Sequence, residues 1–505
     1  GGALDSNTTA SYNVAVGFEA LQENTTGAQN TGIGYKALEE NTTASNNTAL
    51  GYESLTANTT GSENTGLGRN SLSANTTAAN NTAVGYASLE QNTTGASNTS
   101  VGAYALEENT TAGNNTAVGY QALTENTTGS SNTAVGSLCL EANTTGSNLV
   151  TIGVRSLDSN TTGDGNTACG SYAMRYNTTA SYNTAVGHAA LQTNTTGANN
   201  VAVGTYALDA NTTANNNVAV GYNALTSSTT AYSNVAVGAD ALDAATTGGE
   251  NVAIGYGAMT DSTTGGACTA VGHQAAANLT TAGYAVAIGH NAMGNAAVTG
   301  DHNCAVGRNS LYSCSTGNHN TAIGGSATLY ALTTGTYNSA IGVDAGQVVT
   351  TGGNNTLLGY QAGMAASPSG AISTGSNNFV LGNNSVANLY CADTSISSSD
   401  ARDKTDVTDF THGLSWIKEL RPVTYRWDRR TWYSDDKSVT PDGSKKRDRL
   451  HIGFLAQEFM EVEKNHGYAD KKDNMLIVNQ DEDETDPSYG MKYERLVPVL
   501  VNAIK

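Results

Sequence analysis

Apolar positions along this chain recur at a spacing of 17 residues. A β-branched or aliphatic residue stands before a glycine (Val16, Ile33, Leu50, Leu67, Val84). A small residue stands three places after that glycine (Ala20, Ala37, Ser54, Ser71, Cys139), and a leucine four places after it (Leu21, Leu38, Leu55, Leu72), with Met174 and Met259 as near-isosteres. The glycines run from Gly17 to Gly289 without insertion. They continue as Gly307, Gly324, Gly342, Gly359 and Gly382 at intervals of 18, 17, 18, 17 and 23. The consensus coil is N-T-A-V-G-Y-x-A-L-x-x-N-T-T-G-x-x, with Glu, Gln, Asp, Asn, Lys and Ser at the variable places. A fixed period of this length marks a stacked, quasi-one-dimensional structure. Short alternating runs between glycines and N-T-T-G turns predict two short strands per coil, with Val, Ala and Leu turned inward. Helix is disfavoured, because Gly, Thr and Asn at this density cost too much helix propensity.

Such a core is thin. Ordering each residue costs about 1–2 kcal/mol in backbone entropy, and each buried aliphatic returns only about 1.5–3 kcal/mol. Burial between chains must add to it, which predicts a homo-oligomer, specifically a homotrimer around an apolar axis. The expected fold is an all-β repeat solenoid over 1–382, a trimeric β-roll or β-helix-like shaft. Thirteen N-T-T triplets, Asn7 to Asn211, are formally glycosylation acceptors; they read more simply as turns with stacked Asn and Thr hydrogen-bond ladders. The tyrosine column (Tyr35, Tyr52, Tyr86, Tyr120, Tyr222, Tyr256) reads as a stacked stripe, with a carbohydrate-binding face as the alternative.

Charge separates the chain into two parts. The first 398 of 505 residues hold 22 acidic residues and only five basic ones, Lys36, Arg69, Arg155, Arg175 and Arg308. An acidic shaft argues against nucleic acid and anionic membrane as partners. No run approaches the roughly 20 apolar residues of a membrane span, so no membrane insertion is expected. Trp416, Trp427 and Trp432 and four of the five prolines lie beyond residue 398. The six cysteines show no metal-binding spacing, and Cys139 and Cys169 read as small core residues. A Cys304–Cys314 bridge across coils is not favoured. The acidic run 481–486 reads as a solvated loop, so neither a metal site nor a cofactor is expected.

After a linker at 383–398, the tail carries three ordered motifs. These are S-D-x-R-x-K (Ser399, Asp400, Arg402, Lys404), L-R-P-V-x-Y-x-W (Leu420 to Trp427) and G-F-x-A-Q-E (Gly453 to Glu458, including Gln457). Together they resemble the intramolecular chaperone domain of phage tailspikes and tail fibres, the peptidase S74 family, over 399–505. The resemblance implies a small α+β domain that trimerises, aligns three shaft chains and then cuts itself off. By the family pattern the cut falls between Ser398 and Ser399, with Ser399 as nucleophile and Lys404 as base. Asp400, Arg402, Gly453, Gln457 and Glu458 support the motif. The chemistry is coherent: a serine hydroxyl needs a base, and a lysine serves as one only when desolvation lowers its pKa. Cleavage should therefore follow assembly. Helices are expected at 412–420 and 456–464, strands at 423–427 and 452–455, and an amphipathic helix at 493–504. The A-V-G-x-x-A-L core is similar to the repeats of trimeric autotransporter adhesin heads and to the glycine-marked shafts of phage tail fibres.

These readings converge on a structural fibre protein, a phage tail-fibre shaft on the virion, extracellular and engaged in host attachment. Its partners would be two further copies of itself and a host cell-surface receptor, with glycans among the receptor classes. A bacterial trimeric surface adhesin is the alternative. Any enzymatic activity is at most a single autoproteolytic event. Near-identical coils permit wrong registers between chains, which gives a C-terminal aligner its purpose.

Overall fold

The computed structural model describes residues 1–295, 297–387, 407–430, 433, 439–480 and 488–505. They form two units, Gly1–Met364 with Ile372–Leu381, and Ala365–Ala371 with Gly382–Lys505.

The first unit is a long parallel β-solenoid. Its 22 strands run from β1 (Val14–Val16) to β22 (Phe379–Leu381), one to each coil. Neighbours pair in parallel one repeat apart, as Val14 with Thr31, Ala15 with Gly32 and Val16 with Ile33. The expectation of two strands per coil is corrected by the backbone after the glycine. Glu19 and Leu21 adopt left-handed φ values of 56° and 53°, and Lys36 and Leu38 repeat them at 58° and 56°. Two left-handed residues two places apart cannot continue an extended strand. Each costs about 1–2 kcal/mol for a non-glycine residue. That cost is offset because the same segment keeps its hydrogen bonds between coils. The Leu21 N–H donates to the Ala37 carbonyl at 3.0 Å and the Lys36 N–H to the Phe18 carbonyl at 2.9 Å.

The short strand also reverses the expected direction of the valine column. In T-A-V the central residue points in and its neighbours point out. Ala49, Ala83 and Ala117 are fully buried, whereas Val16 is 58% exposed, Leu50 43% and Ile341 47%. The core instead receives that alanine, the small residue and leucine after the glycine, and two columns of asparagine. Cys139 is buried as expected; Cys169 lies in the outward column and is only half-buried. Cys304 and Cys314 are both free thiols.

The asparagine columns make a polar interior tolerable. In the N-T-T column, Asn41 Nδ2 donates to Asn24 Oδ1 at 2.8 Å and to the Ala44 carbonyl at 3.1 Å, and Asn58 does the same to Asn41 and Gly61. In the second column, Asn47 Nδ2 donates to the Gly61 carbonyl while Asn30 Oδ1 accepts the Asn47 N–H, both at 2.9 Å. Buried amides of this kind are stable only when satisfied. Threonine completes the ladder expected from the sequence: Thr25 Oγ1 donates to the Thr42 carbonyl at 3.0 Å, and Thr42 Oγ1 to that of Thr59 at 3.1 Å.

Glycine fixes the pitch. Gly17 has φ +139°, and a Cβ there would lie 2.2 Å from the Gly34 carbonyl oxygen. The coils are least regular around β18 (Cys304–Arg308) and β19 (Thr321–Ser326), which are longer and carry a register shift between Val306 and Arg308.

The second unit is α+β. Helix α1 (Leu414–Glu419) precedes β23 (Val423–Tyr425), which pairs antiparallel with β24 (His451–Gly453). Helix α2 (Ala456–Asn465) follows. Then come β25 (Val478–Gln480), antiparallel to β26 (Tyr489–Met491), and a 3-10 turn at Tyr493–Leu496 leading into α3 (Val497–Ile504). Trp416, Phe459, Val462, Ile477, Val478 and Val499 form its core. The helices expected at 412–420 and 456–464 and both expected strands are present within two residues; of the helix expected at 493–504 the first turn is 3-10 and α3 begins four residues later, and β25 and β26 were not foreseen.

Candidate functional site

The expected cleavage residues Ser398 and Ser399, with Asp400, Arg402 and Lys404, lie outside the described residues, as does the acidic run 481–486. The other two motifs are described, and the fold brings them together. Strands β23 and β24 align Val423 with Gly453 and Tyr425 with His451. Arg421 then engages Glu458 with two guanidinium nitrogens, Nε to Oε2 at 3.1 Å and Nη2 to Oε1. The Arg421 hydrogen bond holds the Glu458 carboxyl below the usual carboxylate range. Gly453 is required by close approach: a Cβ there would stand 2.5 Å from the Tyr493 hydroxyl oxygen, which accepts the Phe454 N–H at 3.1 Å. Gln457 is exposed. The crevice beside Arg421, Leu455 and Glu458 has a volume of about 20 Å³, room for a water molecule and no substrate. These motif residues build a frame.

One framing residue escaped the sequence reading. Glu463 is fully buried on α2, and its carboxylate accepts the N–H groups of Leu476, Ile477 and Val478 at 3.0, 2.7 and 3.1 Å. It pins the start of β25 to the helix. The available signal was its place four residues after Phe459 and next to Val462, on the apolar stripe of α2.

On the shaft, the tyrosine column stacks face to face only in part: Tyr86 and Tyr120 meet Tyr104 edge-on at 80° and 84°, and Tyr222 meets Tyr206 at 73°. Phe18, Tyr35 and Tyr52 lie in succession at centroid distances of 5.6 and 4.9 Å, with planes 9° and 13° apart. A second stack runs Tyr284, His302, His319, Tyr337 at 4.9, 4.9 and 5.0 Å. A third joins Tyr256, His273 and His290 at 5.3 and 5.1 Å. Inside a parallel run each ring's faces are covered by its two neighbours and only its edges meet solvent. A sugar stacks on ring faces, so these parallel runs do not offer a platform for one. The N-T-T asparagines from Asn24 to Asn211 are fully buried with their amide nitrogens engaged along the ladder, so the folded shaft presents none of them as a glycosylation acceptor.

Among the described residues no helix is long and apolar enough to cross a membrane, and no three His, Cys, Asp or Glu side chains converge as metal ligands. Residues 399–468 match the Peptidase_S74 family model, described as the chaperone of endosialidase. No curated protein matches the chain. A chaperone module of this family behind a β-solenoid shaft fits a trimeric fibre or tailspike type of protein.

Proposed function

We propose that this chain is a structural fibre protein, a tail-fibre shaft that assembles as a homotrimer and serves host attachment, with the C-terminal module setting the register of the three chains. The observation that carries the reading is the outward aliphatic column. One Val, Ile or Leu per coil faces out from Val16 to Leu381, interrupted only by Cys169. Soluble monomers rarely leave contiguous apolar patches above roughly a few hundred Å² uncovered, and this stripe runs the length of the shaft. The face has the same geometry in every copy and suits a three-fold axis. In the second unit, helix α3 exposes apolar side chains of its own, Val497 at 56%, Val501 at 44% and Ile504 at 86%, beside the buried Val499.

Once the shaft is aligned, the module detaches itself. Lys404, neutral when desolvated, takes the proton from Ser399 Oγ, which attacks the carbonyl carbon of Ser398. The C–N bond breaks as the Ser399 amine leaves with a proton, and water then hydrolyses the ester to free the Ser398 carboxylate. The order matters, since the lysine is a base only after burial. The test is mass analysis of the assembled protein. Fragments of 398 and 107 residues are expected, with an intact trimer in the Ser399→Ala and Lys404→Ala variants. A cut elsewhere, or one that survives either substitution, removes the assignment. A monomer in light scattering removes the trimer.

A further inference from the structure

The chain leaving β23 and the chain entering β24 carry a basic cavity that the cleavage chemistry does not use. The Trp427 carbonyl accepts the Arg447 N–H at 2.9 Å, and the Asp448 carbonyl accepts Arg426 Nε at 2.9 Å, which keeps the two segments side by side. Trp427, Arg429, Arg447, Arg449 and His451 line a cavity of about 320 Å³, together with Asn384 and its neighbours. All the lining residues belong to the second unit. None of them is acidic, and neither Arg429 nor Arg449 has a carboxylate partner among the described residues. A water molecule's share of the liquid is about 30 Å³, so the cavity has room for an anion of several heavy atoms and water around it.

We propose that this cavity binds one dianionic phosphoryl group per chain, as free phosphate or as the head of a phosphomonoester. A guanidinium presents a planar fork of donors that matches the oxygens of a carboxylate or a phosphate. A carboxylate brings one charge and two coplanar oxygens, which suits a single fork. Three guanidiniums on one cavity call for more charge and for oxygens pointing in several directions, and a tetrahedral phosphate supplies both. Burial pushes the Arg429 guanidinium below its usual range, and the charge of Arg447 adds to this. A bound dianion relieves both penalties. Much of the site is already oriented. Arg447 Nη2 donates to the Asn384 carbonyl, and the Arg429 guanidinium lies 4.6 Å over the Trp427 ring. His451 stacks on Tyr425 at 5.6 Å with the planes 21° apart. Groups held in place beforehand lose less freedom when a ligand arrives. Because Asn384 and Ala387 also line the cavity, a bound phosphate would tie that segment to the frame built by β23 and β24.

The site does not depend on the trimer or on cleavage. The experiment is a calorimetric titration of the full chain with sodium phosphate and, separately, with glycerol phosphate, at constant ionic strength. Saturable binding at one site per chain is expected, and the anion that binds more tightly identifies the source as free or esterified phosphate. Arg449→Gln, at an exposed position, should weaken binding about tenfold, and the double variant with Arg429→Gln should abolish it. Lys418→Gln removes one positive charge from the exposed side of α1, outside the cavity lining, and should leave binding unchanged. The wild-type titration decides independently of any variant: no saturable binding of either anion overturns the proposal. Equal weakening in Arg449→Gln and Lys418→Gln overturns it as well, since that result marks a diffuse charge effect and not a site.

Discussion

Asn211 donates its amide nitrogen to Asn194 Oδ1 at 2.8 Å, while its own Oδ1, equally buried, receives no donor among the described residues. The ladder ends there because the next coil places Ser228, and later coils place Ala245, Ser262 and Leu279, where asparagine stood. An amide column always leaves its last oxygen unpaired, so its length shifts the position of the orphan and not the number of orphans.

Substitutions inside and at the end of the ladder should therefore differ. Asn109 donates to Asn92 and Ala112 and accepts from Asn126. Asn109→Leu strands partners on both sides and should cost roughly 2–3 kcal/mol. Ser228→Asn extends the ladder and moves the orphan by one coil; it should stay within about 0.5 kcal/mol. Thermal melts of the two variants check this, and equal losses would contradict the ladder account.

The outward column makes a prediction about association. Val101 is 37% exposed, so Val101→Arg should change the stability of one chain by about 0.5 kcal/mol or less. A charge inside an apolar axis is far more costly. Light scattering should show the trimer lost or strongly weakened, with Gln91→Arg, at an exposed polar position, as the unaffected control.

Acidification should move the two units in opposite directions. Burial pushes the Glu107 carboxyl up, and the charges of Glu90 and Glu108 add to this; burial likewise raises Glu141, Asp209 and Asp243. A carboxyl raised by folding binds its proton more readily in the folded state. The shaft thus gains stability as pH falls toward the folded values and loses it as pH rises past them. Glu458, lowered by Arg421, contributes stability above its unfolded value that is lost as pH falls through the folded one. Melts from neutral pH down toward the usual carboxylate range should raise the shaft transition, the module's loss comes only at lower pH, and Glu107→Gln should flatten the shaft's slope.

Gly453 offers a rescue test. The 2.5 Å approach of Tyr493 Oη to a Cβ at this position means Gly453→Ala overpacks the module by about 1–3 kcal/mol. Tyr493→Phe removes the clashing oxygen and with it the acceptor of the Phe454 N–H, so the double variant should recover part of the loss in denaturant melts and cost less than the sum of the two single changes. No recovery would place the strain elsewhere.

The 17-residue period made the coil, the Asn and Thr ladders and the tyrosine stack legible, because each follows from identical residues standing one repeat apart. The direction of the valines was not legible. It depends on Leu21 and its equivalents taking left-handed φ, a choice that leucine does not advertise and that inter-coil hydrogen bonds impose. The tail motifs announced β23, β24 and α2, since local pattern and family resemblance agree there. Glu463 was hidden because a carboxylate on an apolar stripe reads as an exception until its three backbone donors, fourteen residues away, are folded against it.

In the regular stretch of the shaft, nearly every hydrogen bond a coil makes outside itself goes to the equivalent coil one step along. A gene segment encoding one such unit can thus be duplicated or deleted in frame without creating a contact the protein has never made. Reach becomes an inherited variable that drifts by whole units, while the ends of the molecule stay as they are.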